Sequence, residues 1–98
     1  MQPSPTKLSN FIDGKYVDPI KGGYIDNYEP SSGTVYSLVP DSTEEDVDAA
    51  VVAAKKAFKS WSKKSNQERS TILYRVADLL EKRIPEFAAA EVRSSLVY

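Results

Sequence analysis

Five carboxylates crowd into eight residues: Asp41, Glu44, Glu45, Asp46 and Asp48. Hard cations take carboxylate oxygens, so this cluster is the first candidate for a metal site. A calcium loop, however, alternates its ligands and turns sharply at a glycine. No glycine lies in this stretch. The acids stand where they would cap a helix start and complement its dipole. Lys55-Lys56 and Lys63-Lys64 form the basic counterpart, and residues 55–98 carry ten basic and five acidic side chains. No aromatic-basic motif of the RNA-binding kind accompanies them, and the preceding stretch is acidic. A solvated helix face is the better reading. Trp61 and the six tyrosines have the rings to stack a base or a ring substrate. Trp61 falls on an apolar helical stripe, which makes it a core or interface anchor. Tyr24 and Tyr28 share one face of a strand and are expected to cover apolar surface.

The sequence contains no cysteine and no histidine. That removes the thiol nucleophile, the imidazole base and the two commonest transition-metal ligands. Serines are plentiful, but none has an evident activating base. Gly22-Gly23 is not followed by a helix start, and no glycine-rich phosphate fingerprint is present. The residues therefore assign no catalytic, cofactor-binding or metal-binding position. Without cysteines the redox compartment is left open. A net charge of −1 gives no pull toward nucleic acid or an anionic membrane. The longest apolar run, Ala49 to Ala54, is far too short to span a bilayer. Met1 to Ser9 lacks the apolar core of a signal peptide and the arginines of a transit peptide, so a cytoplasmic location is expected.

The elements that position these residues follow from pattern. Residues 1–9 read as a Pro/Ser-containing flexible tail. Phe11-Ile12-Asp13-Gly14-Lys15-Tyr16-Val17 predicts a tight hairpin, because Asp-Gly accepts the positive φ that such a turn needs. Tyr24 to Tyr28 and Val35 to Val39 are β-prone runs joined by Glu29-Pro30-Ser31-Ser32-Gly33-Thr34, a turn with fixed φ at Pro30 and permissive φ at Gly33. This is a second hairpin.

Ser42-Thr43-Glu44-Glu45 fits a capping box with Ser42 as N-cap. Val47, Ala50, Val51, Ala54, Ala57, Phe58 and Trp61 then recur at helical spacing. Ser65-Asn66-Gln67-Glu68 repeats the capping pattern before Ile72, Leu73, Val76, Ala77, Leu79, Leu80 and Ile84. Helices are predicted at about 43–60 and 66–83. Pro85 either stops the second helix or starts a third over the alanine-rich stretch Glu86 to Glu91. The class is α+β: two N-terminal β-hairpins followed by two or three amphipathic helices.

These segments, in this order, resemble the opening of aldehyde dehydrogenases. Asn10-Phe11-Ile12-Asp13-Gly14-Lys15 is similar to that family's first hairpin. Tyr28-Glu29-Pro30-Ser31-Ser32-Gly33-Thr34-Val35 is similar to its Asn-Pro-Ala-Thr-Gly-Glu-Val segment. Val39-Pro40 through Val51, with Ala53-Ala54 and Ala57-Phe58, looks like its first helix, followed by its characteristic tryptophan at Trp61. Gln67-Glu68-Arg69, Leu73 and Ala77-Asp78-Leu79-Leu80-Glu81 look like its second helix. Tyr24-Ile25-Asp26, Ser60-Trp61-Ser62 and Gln67 to Ser70 resemble the 2-aminomuconate (hydroxymuconic) semialdehyde dehydrogenase branch most.

The resemblance covers 10–91, and residues 92–98 depart from it as an unrelated tail. It implies an incomplete part of an aldehyde dehydrogenase-like α/β fold. A full-length member is several times longer. The NAD(P) domain, cysteine nucleophile, glutamate base and oligomerisation arm would all lie outside this chain. The expectation is a truncated member that binds no NAD(P) itself and is inactive alone in the family's oxidation of aldehydes to acids. Three roles compete: an enzyme fragment, an interaction module on full-length aldehyde dehydrogenase subunits, and a fragment without function. Two amphipathic helices with little to close over them favour self-association or capture by a larger subunit.

Overall fold

A computed structural model describes residues 4–95 of the chain. The order of elements is β1 (Thr6–Lys7), β2 (Asn10–Ile12), β3 (Lys15–Val17), β4 (Tyr24–Glu29), β5 (Thr34–Pro40), α1 (Glu44–Trp61), α2 (Asn66–Lys82) and α3 (Ile84–Ser94). The expected α+β arrangement holds, with both hairpins and three helices.

The first hairpin pairs β2 with β3, Asn10 opposite Val17 and Ile12 opposite Lys15. Its turn places Asp13 at φ 55° and Gly14 at φ 74°. Two successive left-handed residues match the right-handed twist of the strands, which is why Asp-Gly sits there. The second hairpin pairs β4 with β5 antiparallel. Asn27 faces Ser37 while the next residue, Tyr28, faces Val35. Tyr36 is thus the extra residue of a β-bulge.

Three expectations are corrected. Residues 1–9 are not all tail: Thr6 and Lys7 pair in parallel with Ser37 and Leu38, and the Leu8 N–H donates to the Leu38 carbonyl at 2.9 Å. The three-stranded sheet therefore runs β1-β5-β4. A two-residue strand is too short to show any period. The N-cap of α1 is Thr43 rather than Ser42. Ser42 instead accepts a hydrogen bond from Asn10 Nδ2 at 2.8 Å, which ties the first hairpin to the helix start. Finally, α3 runs through Ser94, so the boundary placed after Glu91 falls inside a helix. Pro85 sits in the first turn of α3, where a missing N–H costs nothing.

The layers do not close over one another. Among the described residues no hydrophobic side chain is buried. The radius of gyration is 17.2 Å, against about 13 Å for a compact chain of this length. The accessible surface is 8270 Å², whereas a compact protein of this mass exposes about 5,600 Å². Phe58 is 64% exposed and Leu73 64%. The stripes of α1 and α2 form as their periodicity requires, yet they stay uncovered among the described residues.

Two outcomes follow. The purified chain melts broadly and binds a hydrophobic dye; a sharp two-state melt without dye binding would mean that the helices close a core. At the start of α2, Ser65 Oγ accepts the Glu68 N–H at 3.1 Å. Ser65→Ala removes that cap at a cost of about 1 kcal/mol. It lowers helicity in far-ultraviolet circular dichroism, while Ser65→Asp preserves it.

Candidate functional site

The acidic stretch resolves into a structural hub at Asp46. Its side chain is almost wholly buried, at 4% exposure. Oδ1 accepts the Ile20 N–H at 2.9 Å. Oδ2 accepts the Thr43 N–H at 2.9 Å and lies 3.4 Å from Thr43 Oγ1. One carboxylate thus satisfies an orphan donor at the start of α1 and a backbone donor in the loop after the first hairpin. The Thr43 and Ile20 amide bonds hold the Asp46 carboxyl below the usual aspartate range, against a smaller opposing effect of burial. The neighbouring acids do not join it. Glu45 reaches Lys21 at 3.9 Å, and among the described residues no three His, Cys, Asp or Glu side chains converge as metal ligands.

A second polar cluster links the sheet to α3. Arg93 Nε donates to Glu29 Oε2 at 2.8 Å, and its guanidinium carbon lies 4.6 Å from the centre of the Tyr36 ring. The bulge puts that ring in place. The Glu29 carboxyl is lowered by its hydrogen bonds from Arg93 and then Ser31. Periodicity gave no sign of this pair, because 64 residues separate its members.

The aromatic residues do not assemble into one platform. Trp61 lines an open cleft of about 630 Å³ with Asn66, Arg69, Leu73 and Tyr74. Tyr24 lies under Lys7, whose Nζ is 4.3 Å from the ring centre, and its hydroxyl donates to Asp18 at 3.2 Å. Tyr28 is exposed rather than covering apolar surface. Tyr16 meets Phe11 edge-on at 5.1 Å. Ser37, the one buried serine among the described residues, is engaged with Asn27 Nδ2 at 3.0 Å. Lys55, Lys56, Lys63 and Lys64 are exposed along and just beyond α1.

All four glycines, at positions 14, 22, 23 and 33, precede the first helix. The first turn of each helix carries at least one acid: Glu44, Glu45 and Asp46 in α1, Glu68 in α2, Glu86 in α3. A dinucleotide pyrophosphate needs open amides and close backbone approach at a helix start. Asp46 and Ser65 oxygens engage the starts of α1 and α2, and α3 opens on Pro85 and Glu86, so among the described residues these starts do not fit a dinucleotide cradle.

Comparison with known proteins settles what such an arrangement belongs to. The family model described as the aldehyde dehydrogenase family matches residues 16–95. The chain belongs to the aldehyde dehydrogenase family. The match runs past Glu91 as far as residue 95. Human 2-aminomuconic semialdehyde dehydrogenase is 55% identical over 84 residues, 86% of this chain and 17% of that protein. A long-chain-aldehyde dehydrogenase of Acinetobacter is 43% identical over 85 residues, 87% of this chain and 17% of that protein. A solved NAD+ complex of the aldehyde dehydrogenase of Bacillus cereus superposes with a TM-score of 0.84 at 37% identity, covering 89% of this chain and 18% of that one. The chain thus spans about one sixth of the length of the curated relatives it matches.

The Asp46 hub predicts a pH dependence with a definite sign. Its folded-state pKa lies below the unfolded value, so its contribution is complete above the ordinary aspartate range. That contribution is lost as pH falls through the lowered folded value. Asp46→Asn turns an amide N–H₂ toward one of the two backbone donors. It lowers helicity at neutral pH and flattens the acid limb of the helicity–pH curve. An acid limb identical to that of the parent protein would remove Asp46 from this role.

Proposed function

We propose that this chain is a scaffold part of an NAD(P)-dependent aldehyde dehydrogenase and does no redox chemistry by itself. The oxidation of an aldehyde to a carboxylic acid is the activity of the whole enzyme. The supporting observation is the state of the three helix starts, each bearing its own acid and none with a glycine immediately before it. A chain built this way orders a sheet and two amphipathic helices and offers no cradle for a nucleotide. It also has no thiol to attack a carbonyl. The substrate class of the whole enzyme is a semialdehyde of the 2-aminomuconic kind, a reading supported by the 55% identity to the human enzyme.

A second reading has its own support. The uncovered faces of α1 and α2 suit a chain that docks on full-length aldehyde dehydrogenase subunits and alters their assembly. Sedimentation of the intact 2-aminomuconic semialdehyde dehydrogenase with and without this chain tests it. A shift in assembly supports docking, and unchanged sedimentation counts against it.

The scaffold reading is tested by calorimetry and by absorbance. Titration with NAD or NADP gives no saturable heat, and the chain with either nucleotide and an aldehyde produces no reduced nucleotide. A micromolar dissociation constant for either nucleotide would overturn it.

A further inference from the structure

The turn of the first hairpin places a carboxyl group beside an unengaged amide. Asp13 is followed by Gly14, and none of the other six aspartates precedes a glycine. Asp13 takes φ 55° and Gly14 φ 74°, and both are exposed. The Asp13 carboxylate forms no ion pair among the described residues. The Gly14 N–H donates to no backbone oxygen among them. A Cβ on Gly14 would meet nothing within 4 Å, so the space around the turn is open. The other aspartates are placed differently. Asp46 commits both oxygens to backbone donors. Asp18 precedes Pro19, whose nitrogen carries no hydrogen. Asp26 lies within the paired strand β4. Asp48 and Asp78 lie inside helices, where the following N–H is held by an i−4 carbonyl. Asp41 precedes Ser42, whose side chain crowds a nitrogen that glycine would leave free.

An aspartate beside a glycine can rearrange its own backbone. The Gly14 nitrogen attacks Cγ of the protonated Asp13 carboxyl, and a C–N bond forms. The hydroxyl leaves with the amide proton as water. Water then opens the cyclic imide at either carbonyl. Opening at the side-chain carbonyl restores aspartate. Opening at the main-chain carbonyl leaves the backbone running through the side chain, with no net change in composition.

In the closed turn, two successive left-handed residues fix the Asp13–Gly14 peptide in the tight connection of β2 to β3. Attack at Cγ requires the chain to leave that geometry, and little opposes the departure. Asp13 holds a conformation that disfavours residues other than glycine. The hairpin is a separate two-stranded sheet of three-residue strands, a size that is marginal by itself. Its ring contact between Phe11 and Tyr16 is exposed. The reaction joins adjacent residues and needs only water, so it does not depend on what covers the apolar helix faces.

We propose that Asp13–Gly14 is a site of spontaneous aspartate isomerisation, gated by opening of the first hairpin. The product adds one carbon to the backbone of the turn. The connection no longer holds Ile12 opposite Lys15, and the Asn10–Ser42 bond to the start of α1 loses its anchorage. The freed carboxyl is the group that an isoaspartate-directed carboxyl methyltransferase esterifies, so an enzyme of that class is the partner of the aged chain. The inference is independent of the scaffold reading, which nucleotide titration tests separately.

The test uses the whole chain, held in warm neutral buffer and then digested with trypsin, which releases residues 8–15 as one peptide. With time a second species of equal mass appears for that peptide, and fragmentation locates the altered linkage at Asp13. The methyltransferase with labelled S-adenosylmethionine labels the aged parent protein. Aged Asp13→Glu stays unlabelled at this peptide, because glutamate must close a larger ring, which forms far more slowly. A staple tests the gate. The chain contains no cysteine and Phe11 faces Tyr16, so Phe11→Cys/Tyr16→Cys closes the hairpin with a single disulfide. The isomer forms several-fold more slowly in that protein oxidised than in the same protein reduced. The proposal is overturned if the folded parent shows no isomer while the free peptide 8–15 converts, or if Asp41 isomerises ahead of Asp13. Equal rates in the oxidised and reduced staple overturn it as well. The first two outcomes need no variant, so they decide even where the staple does not form.

Discussion

Asp46 is where the two halves of this chain meet. The start of an α-helix leaves backbone N–H groups without intrahelical partners, and a buried one costs free energy unless an oxygen reaches it. Asp46 reaches the Thr43 N–H from within the first turn of α1. With its other oxygen it holds the Ile20 N–H of the loop that follows the first hairpin. One ionised side chain thus ties the start of α1 to the loop that follows the first hairpin. Asn10 and Ser42 add a second, exposed bond across the same junction. At the far end, Glu29, Arg93 and Tyr36 hold α3 to the sheet by charge and ring contact. Both fastenings are polar, and both take their strength from charge-assisted hydrogen bonds.

This polar framework explains how an ordered arrangement coexists with the absence of a buried apolar core among the described residues. Each element satisfies its own backbone locally, through strand pairing, capping and i→i+4 bonds. The apolar stripes are then left over, regular but uncovered. The likeness to dehydrogenases several times longer is consistent with this geometry. A layer of sheet and helices that makes sense as one side of a larger enzyme exposes its inner faces when described by itself.

Much of the fold was legible because its determinants are local. Asp13-Gly14 specified its own turn. Ser65 and Glu68 marked the start of α2 at the right residue, and Pro85 fell where its geometry fits a third helix. The cap of α1 was misplaced by one residue because Ser42 and Thr43 are both good N-caps, and the sequence pattern favours Glu45 where the structure uses Asp46. What decides between them is Ile20, a partner 26 residues away. The β1–β5 pairing, the bulge at Tyr36 and the Glu29–Arg93 bond were hidden for the same reason. They depend on which distant segments meet, and neither propensity nor period encodes that. Candidate chemistry was legible mainly by elimination, since a sequence without thiol or imidazole narrows what any geometry can do.

The order of the sheet has a consequence for how this chain behaves in bulk. With β5 in the middle, β4 keeps one long edge unpaired among the described residues, and that edge is a template for another strand. Addition of strands at such an edge need not close, so it leads to open-ended fibres rather than to a finite assembly. Two features blunt it: the carboxylate of Asp26 in the middle of β4, and the bulge at Tyr36 in the neighbouring β5, which breaks the flatness that stacking strands require. The same irregularity that seats Arg93 over Tyr36 also guards the solubility of the sheet.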